Sequence, residues 1–534
     1  MTTIFNQWRF TAARRLNPVQ NRKSSLFTIA LAVALALSLQ PVPAAHAATF
    51  TVTNTNDSGA GSLRQAIVDA NTTAGADTIT FSISGTITLS DSLLINGDVT
   101  IDGSGQSITM SGNNAVTVML VQAGTTTLMN LTIANGSGGA GGGIANTGTL
   151  NVMNSTFWGN HAVHFGGGIY NVGTLNITNS TFSFNSANDE SGGGIYNGGT
   201  LNVTNSTFSS NRADIYGGGI SNDDRWLTVS NSTFSENSAT YGGGISNQGL
   251  GMLTVSNSTF SGNSATYGGG GGYGGGIANV DESWLTVSNS TFSGNSADNG
   301  GGIANVWLGT LFLRNTIIAN SLSGWDCAGV GTPILQINNL IEDGTCSPLH
   351  SGDPNLGPLA YNGGPTQTHT LLPGSPAIDA GDPATCAAAP VNNLDQRGIA
   401  RPQGTTCDIG AFELEQVVYN FSGFFQPVDN LPMLNVAKAG SAIPIKFSLG
   451  GDQGLNIFAA DFPRSQPIDC DSTAPNDGIE ETVTAGNSSL SYDAASDTYT
   501  YIWKTTKAWV NTCRQLTLRL SDGTDHVANF MFRK

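Results

Sequence analysis

Between Gly136 and Asn320 only a handful of side chains could do chemistry. Asp223 and Asp224 stand directly before Arg225, and Asp281 and Glu282 form a second acidic pair further on. Two carboxylates held on either side of a bond can act as general acid and base. Carboxylates beside a basic group can instead hold calcium while a proton is removed. Both would be the chemistry of polysaccharide cleavage, and calcium is the only ion this set suggests; no other cofactor is expected. The competing reading is that these five residues are solvated corner residues, because they fall between a glycine-rich step and the next apolar stretch. His161 and His164 have no matching serine, cysteine or acidic column, so a nucleophilic triad lacks its parts. The same segments carry Trp226, Trp284 and Trp307, while Tyr216, Tyr241 and Tyr267 each precede glycines and Tyr273 interrupts a glycine run. Such aromatics can stack on sugar rings, or they can wedge loops against a wall.

The elements that position these residues are written as a repeat. The isoleucine of Gly-Gly-Gly-Ile recurs at Ile144, Ile169, Ile195, Ile220, Ile245, Ile277 and Ile303, at intervals of 25, 26, 25, 25, 32 and 26. The asparagine of Asn-Ser-Thr keeps the same step at Asn154, Asn179, Asn205, Asn231, Asn257 and Asn289. A period in this range means a solenoid. The copies are built from Thr, Val, Ile, Phe, Ser, Asn and Gly, and stretches such as Leu201 to Thr204 alternate apolar and polar, which selects strands over helices. One copy has room for about three short strands and their corners, one rung of a parallel β-helix. Rungs roughly 4.8 Å apart put equivalent residues above one another. Phe157, Phe182, Phe208, Phe234, Phe260 and Phe292 then form an interior stack. Each Gly-Gly-Gly becomes a corner needing positive φ or close backbone approach. Asn160, Asn185, Asn211, Asn237, Asn263 and Asn295 form a structural amide ladder. The array amounts to about ten rungs, roughly 50 Å long. The longer fifth interval places an enlarged corner at Gly268 to Gly276, the first place to look for a ligand.

The flanks differ. Arg9, Arg14, Arg15, Arg22 and Lys23, the apolar run Leu26 to Leu39 and the Ala45-His46-Ala47 step read as a secretory signal, so the mature chain is expected to begin near Ala48. No other run is apolar and long enough to span a membrane. Ser62-Leu63-Arg64-Gln65 offers a capping box opening a helix with Leu63, Ala66, Ile67 and Ala70 on one face, suited to cover the first rung. Asp77 to Asn135 reads as degenerate rungs.

Only 11% of the 534 residues are charged and the formal net charge is −17, which argues against nucleic acid or an anionic membrane face as partner. All six cysteines, Cys327, Cys346, Cys386, Cys407, Cys470 and Cys513, lie in the last part of the chain. In an exported protein that implies disulfides, sequential pairing being the simplest of 15 connectivities.

Several stretches resemble known families. Ser62-Leu63-Arg64-Gln65-Ala66-Ile67 followed by Asp77 to Phe81 resembles the "CSLREAI" leader of exported β-helix proteins, although Gly61 stands where that motif has cysteine. Gly-Gly-(Ala or Gly)-Ile paired with Phe-x-x-Asn resembles the repeats of polymorphic outer-membrane proteins, which implies a pectin-lyase-like, right-handed β-helix at a cell surface. Asp353 to Leu359, Asn362 to His369, Gly374 to Gly381, Asp395 to Gly398 and Cys407 to Glu413 together resemble the "choice-of-anchor Q" domain, which closes a β-helix and implies a surface protein. Tyr419-x-Phe421-x-Gly423-Phe424, Lys438-Ala439-Gly440 and Pro444-Ile445-Lys446-Phe447 resemble the PxKF domain. Alternation at Tyr499 to Trp503 and Leu516 to Leu520 favours an immunoglobulin-like β-sandwich there, pinned by Cys470 and Cys513.

The expected protein is therefore all-β: a signal peptide (1–47), an N-terminal cap with the first rungs (48–105), parallel β-helix repeats (106–320), an anchor-type closing region (321–415) and a PxKF-like β-sandwich (416–534). The expected function is a non-enzymatic, secreted, cell-surface or outer-membrane-associated protein of structural or adhesive type, its partners surface glycans or cell-envelope components. The alternatives are a polysaccharide lyase or hydrolase centred on Asp223, Asp224, Arg225, Asp281 and Glu282, and a carbohydrate-binding module centred on Trp226, Trp284, Trp307 and Tyr273.

Overall fold

A computed structural model describes residues 46–266, 271–329, 334–415, 418–470, 475–478 and 489–534. The expected signal segment, up to residue 45, lies outside the described residues, as does Tyr267.

Each repeat coils once into a right-handed parallel β-helix. A representative rung runs Ile220–Asp223, Trp226–Ser230, Thr233–Ser235 and Ser238–Ala239. Stacked strands make four walls, of ten, twelve, eleven and seven strands respectively. We call them the Ile wall, the Leu-Val wall, the Phe wall and the short wall. The solenoid is slightly longer than ten rungs because transitional strands at both ends, from Thr49–Val52 to Ile334–Ile337, continue the Leu-Val wall.

Single left-handed residues make the corners, and this is what the repeat encodes. The asparagine of Asn-Ser-Thr turns the chain from the Leu-Val wall to the Phe wall with φ from 44° to 51° at the six positions from Asn154 to Asn289. Asparagine is the non-glycine residue that tolerates this best. The residue before the ladder asparagine turns the next corner, as Gly159, Phe184, Ser210, Glu236, Gly262 and Gly294, all with positive φ. The first glycine of Gly-Gly-Gly makes the third, for example Gly217 at φ 62°. The second and third glycines serve close approach. A Cβ on Gly218 would meet Gly243 O and Ser238 O at 2.5 Å.

Inside, equivalent residues of the Leu-Val and Phe walls stack in register. Leu227 pairs with Leu253 and Leu253 with Leu285, and Phe234 pairs with Phe260 and Phe260 with Phe292. The six phenylalanine rings lie 4.5–4.8 Å apart and within 6° of parallel. The expected asparagine ladder is present. Asn237 Nδ2 donates to Asn263 Oδ1 and to Phe208 O, both at 2.9 Å, and Asn237 N donates to Asn263 Oδ1 at 3.1 Å. A second ladder runs through Asn146, Asn171, Asn197, Asn222, Asn247, Asn279 and Asn305 at 2.7–2.8 Å. The serines of Asn-Ser-Thr form a third column: the hydroxyls of Ser180, Ser206, Ser232, Ser258 and Ser290 each accept from the backbone N–H of the serine one rung earlier, and Ser155 Oγ accepts from Leu131 N.

Helix α1 (Leu63–Thr72) buries Leu63, Ala66, Ile67 and Ala70 in the core of the first rungs. Ser62 Oγ accepts from Gln65 N, the first half of a capping box, but Gln65 Nε2 turns away to Asp69 Oδ1.

Residues 354–415 run back over the outer face of the Phe wall as a strap. Thr366 Oγ1 donates to Asn231 O, Thr233 Oγ1 to Gln367 O and Thr259 Oγ1 to Gln396 Oε1, while Ala411 N donates to Thr291 Oγ1. This explains why Thr233, Thr259 and Thr291 are buried while Thr156, Thr181 and Thr207 in the same column are only half-buried. Within the strap, Arg401 is fully buried and reaches Asp408 O, Gly410 O and Glu413 Oε2. The disulfides pair sequentially as expected: Cys327–Cys346, Cys386–Cys407 and Cys470–Cys513.

Beyond residue 418 two sheets of four and five strands enclose a separate core that includes Phe447, Tyr499, Leu516, Phe530 and Phe532. The sandwich is as expected, with one difference: Leu434–Lys438 pairs in parallel with Asp525–Arg533, so the five-stranded sheet is mixed.

Candidate functional site

Asp223 ends the Ile-wall strand Ile220–Asp223, and Asp224, Arg225, Asp281 and Glu282 occupy the turns that lead on to the Leu-Val wall. Asp223, Asp224 and Arg225 are engaged separately. Asp223 Oδ2 accepts from the Tyr196 hydroxyl at 2.6 Å, one rung earlier. Asp224, with φ 57°, uses Oδ1 to accept from Leu250 N at 2.7 Å, one rung later. Arg225 Nε donates to Gly198 O at 3.0 Å. Asp281 and Glu282 are the two central residues of a turn with φ 56° and 61°, a conformation that short acidic side chains accept more readily than bulky ones. Leu250 and Gly249 of the intermediate rung share a cleft of about 540 Å³ with them. Among the described residues no ion pair joins Arg225 to these carboxylates, and no group of three or more His, Cys, Asp or Glu is placed to hold a metal ion. What the arrangement can do chemically is stabilise turns and give this edge negative potential.

The aromatics divide into two sets. Trp226 and Trp284 open Leu-Val-wall strands and share one register column, with Met252 between them. Both are more than half exposed, and Trp284 lies 6.0 Å from Phe312 between ring centroids. Trp307 does not continue this column. It stands three residues before Thr310, which does, and so occupies the turn position equivalent to Asp281.

The second set decorates the outer edge of the Ile wall. Tyr216, Tyr241 and Tyr273 form one bridged column and stack at 5.0 and 5.8 Å. Tyr273, rather than Tyr267, therefore continues the tyrosine column across the long interval, and the extra residues lie ahead of it. Trp307 tilts onto both Tyr241 and Tyr273 at 5.8 and 5.5 Å. Earlier rungs extend the strip through Phe165, Tyr170 and Tyr196. Burial and the bond to Asp223 hold the Tyr196 hydroxyl well above its ordinary range, and burial with the charges of Tyr241, Asp281 and Asp223 raises Tyr216. Both phenols therefore stay protonated as donors at any physiological pH.

The strip ends in a cavity of about 640 Å³ bounded by Tyr273, Trp307, Leu308, Trp325 and the Cys327–Cys346 disulfide. Trp325 and Leu308 were not among the expected site residues. The signal that could have found Trp325 is a bulky aromatic in a step that elsewhere in the array is glycine; Leu308 repeats the apolar residue that Leu250 places at the same turn position two rungs earlier.

Residues 231–248 match a family model described as the Chlamydia polymorphic membrane protein repeat. The matched segment starts at one left-handed corner and includes Phe234, Asn237, the glycine step and Asn247. Among solved structures, the chain is similar to jun a 1, the major allergen from cedar pollen, with 15% identity over 59% of this chain and 82% of that chain. The TM-score is 0.28, and a superposition that loose carries no argument about this chain. No curated protein matches the chain. No helix among the described residues is long and apolar enough to cross a membrane.

Proposed function

We propose that the chain is a non-enzymatic, exported β-helix protein that acts at a cell surface or outer membrane as a scaffold or adhesin. The observation that carries this reading is the use made of the repeated polar residues. Two asparagine ladders and a serine column spend their donors and acceptors on the next rung. The corner carboxylates Asp223 and Asp224 are tied separately to Tyr196 and Leu250, so neither is paired for acid and base work. The surface assignment draws support from the polymorphic membrane protein repeat, from the signal-like N-terminus and from the resemblance of residues 353–413 and 419–447 to choice-of-anchor Q and PxKF domains.

The test is incubation of the mature chain with pectic and neutral polysaccharides, alongside adhesion of beads or cells coated with it. Adhesion without unsaturated or reducing products is the expected result. Release of such products, abolished by Asp224→Ala, would overturn the non-enzymatic reading in favour of a lyase or hydrolase.

A further inference from the structure

We infer that the aromatic edge of the Ile wall binds an uncharged glycan chain, with its terminal sugar seated in the cavity between Trp307, Leu308, Trp325 and Tyr273. The inference deepens the adhesive reading by naming a ligand class and a place, and it rests on that reading being a binding one.

The first observation is backbone conformation. Trp307, Leu308 and Trp325 all have positive φ, at 51°, 70° and 59°. Bulky residues rarely adopt this region, and such outliers gather where function holds them. The equivalent turn one rung earlier is Asp281-Glu282, and two rungs earlier it begins with Gly249 at φ 65°. The turn itself therefore needs no tryptophan. A strained tryptophan is present in spite of the turn's preference, and it projects into the cavity.

The second observation is exposure. Trp307, Leu308 and Trp325 are 46%, 67% and 68% exposed. Three large apolar side chains held out together beside one concavity mark a contact surface. The Cys327–Cys346 disulfide forms one side of that concavity and fixes it before any ligand arrives.

The third observation is charge, and it chooses the occupant. No charged side chain lines this cavity among the described residues; its polar groups are Asn299, Thr345, the Tyr273 phenol and backbone. Immediately across the Trp307–Leu308 turn lie Asp281 and Glu282, and further along the strip lies Asp223. The nearby cation, Arg225, is engaged with Gly198 O. A uronate or sulfated chain approaching this edge meets like charge. An uncharged sugar presents C–H faces to the indole and phenol rings and hydroxyls to the amide and hydroxyl groups. The column holds tyrosine at three successive rungs, Tyr216, Tyr241 and Tyr273, between Ser191 and Asn299, so a chain lying along the solenoid axis meets three stacked rings before it reaches the cavity.

The test uses the full mature chain. Binding to an array of neutral hexose oligosaccharides, polygalacturonate and apolar peptides is scored, then titrated by tryptophan fluorescence. A neutral oligosaccharide is expected to bind, with affinity falling roughly tenfold or more on Trp325→Ala and on Trp307→Gly. Trp226→Ala, in the separate column, is expected to leave binding unchanged. Trp307→Gly relieves the strain at φ 51° but gives up the ring contacts with Tyr241 and Tyr273, so Tm should change little while ligand is lost. A lower Tm with unchanged binding would make Trp307 a wedge and overturn the inference, as would preferential binding of polygalacturonate or of an apolar peptide, or no glycan bound at all. Shortening of a bound neutral glycan, read by mass spectrometry, would instead overturn the non-enzymatic reading while leaving the site where it is placed.

Discussion

Thr259 donates its hydroxyl hydrogen to Gln396 Oε1 at 2.7 Å, joining two residues 137 positions apart. Gln396 Nε2 simultaneously reaches Thr233 Oγ1 at 3.0 Å and Thr366 Oγ1 at 2.9 Å, so one buried amide links two rungs to the strap. Replacing it with alanine strands buried hydroxyls on both sides. Gln396→Ala is expected to cost roughly 2–3 kcal/mol of strap attachment, the scale of buried polar groups left without partners. Hydrogen exchange would read this as faster exchange at Gln367, His369 and Ala411, with the amides of Phe234 and Phe260 unchanged. Equal acceleration across the array would show that strap and solenoid unfold together.

Strap attachment is also expected to weaken in acid through His369. Its Nδ1 bonds to Gly357 O at 2.7 Å and its Nε2 to Ser261 Oγ at 3.0 Å, and burial holds it below the ordinary 6.5. A histidine kept neutral in the folded state contributes fully above 6.5 and loses that contribution as pH falls. Glu413 acts in the opposite sense. Burial, against the pull of Arg401, pushes it from 4.5 to about 7, so its contribution is present below 4.5 and lost as pH rises through about 7. Comparing His369→Gln with the parent cancels the Glu413 effect. The Tm difference between them should be constant above 6.5 and shrink on acidification to about pH 5; a difference that stays constant would refute the assignment.

Asn237 is a rung of the interior ladder, bonded to Phe208 O and Asn263 and accepting from Asn211 at 2.9 Å. Asn237→Ala is expected to lose roughly 3 kcal/mol or more, since it leaves several buried groups without partners. In a solenoid the damage spreads to nearest neighbours. Urea unfolding should therefore lose its single transition and show two halves melting separately. An unaltered transition would mean that the ladder contributes little.

Gly218 tests close approach rather than φ. The Cβ of Gly218→Ala would fall 2.5–2.6 Å from backbone atoms of Gly243 and Ser238, none of which is a flexible tip. The cost is expected to reach roughly 1–3 kcal/mol or more, as for overpacked interiors. Gly451→Ala is a poor control because its φ is 125°, whereas Gly97→Ala has open space around the added Cβ and should melt with the parent. Thermal unfolding of the two variants side by side makes the comparison.

Much of this molecule was legible in the sequence because a repeat forces its own contacts. Once the period stacks Phe234 over Phe208, it also stacks Asn237 over Asn211 and Gly218 over Gly193, so a local motif becomes a long-range register. The second asparagine ladder, at Asn222 and Asn247, stood in the same periodic columns and was open to the same argument. The helix at Leu63 and the sequential disulfides were likewise local events between near neighbours in the chain. What only the tertiary structure decided lies where the period breaks. Even across the insertion the spacing held the tyrosine column: Tyr216, Tyr241 and Tyr273 each stand four residues before Ile220, Ile245 and Ile277, so Tyr273 and not Tyr267 keeps the register. No motif, however, says that Gln396 lies against Thr259, since that contact depends on how an irregular segment packs its side chains onto a finished wall. The conformations of Trp307, Leu308 and Trp325 belong to the same class. Local preference would not place such residues at positive φ, and only the surrounding rungs and the Cys327–Cys346 bridge hold them there.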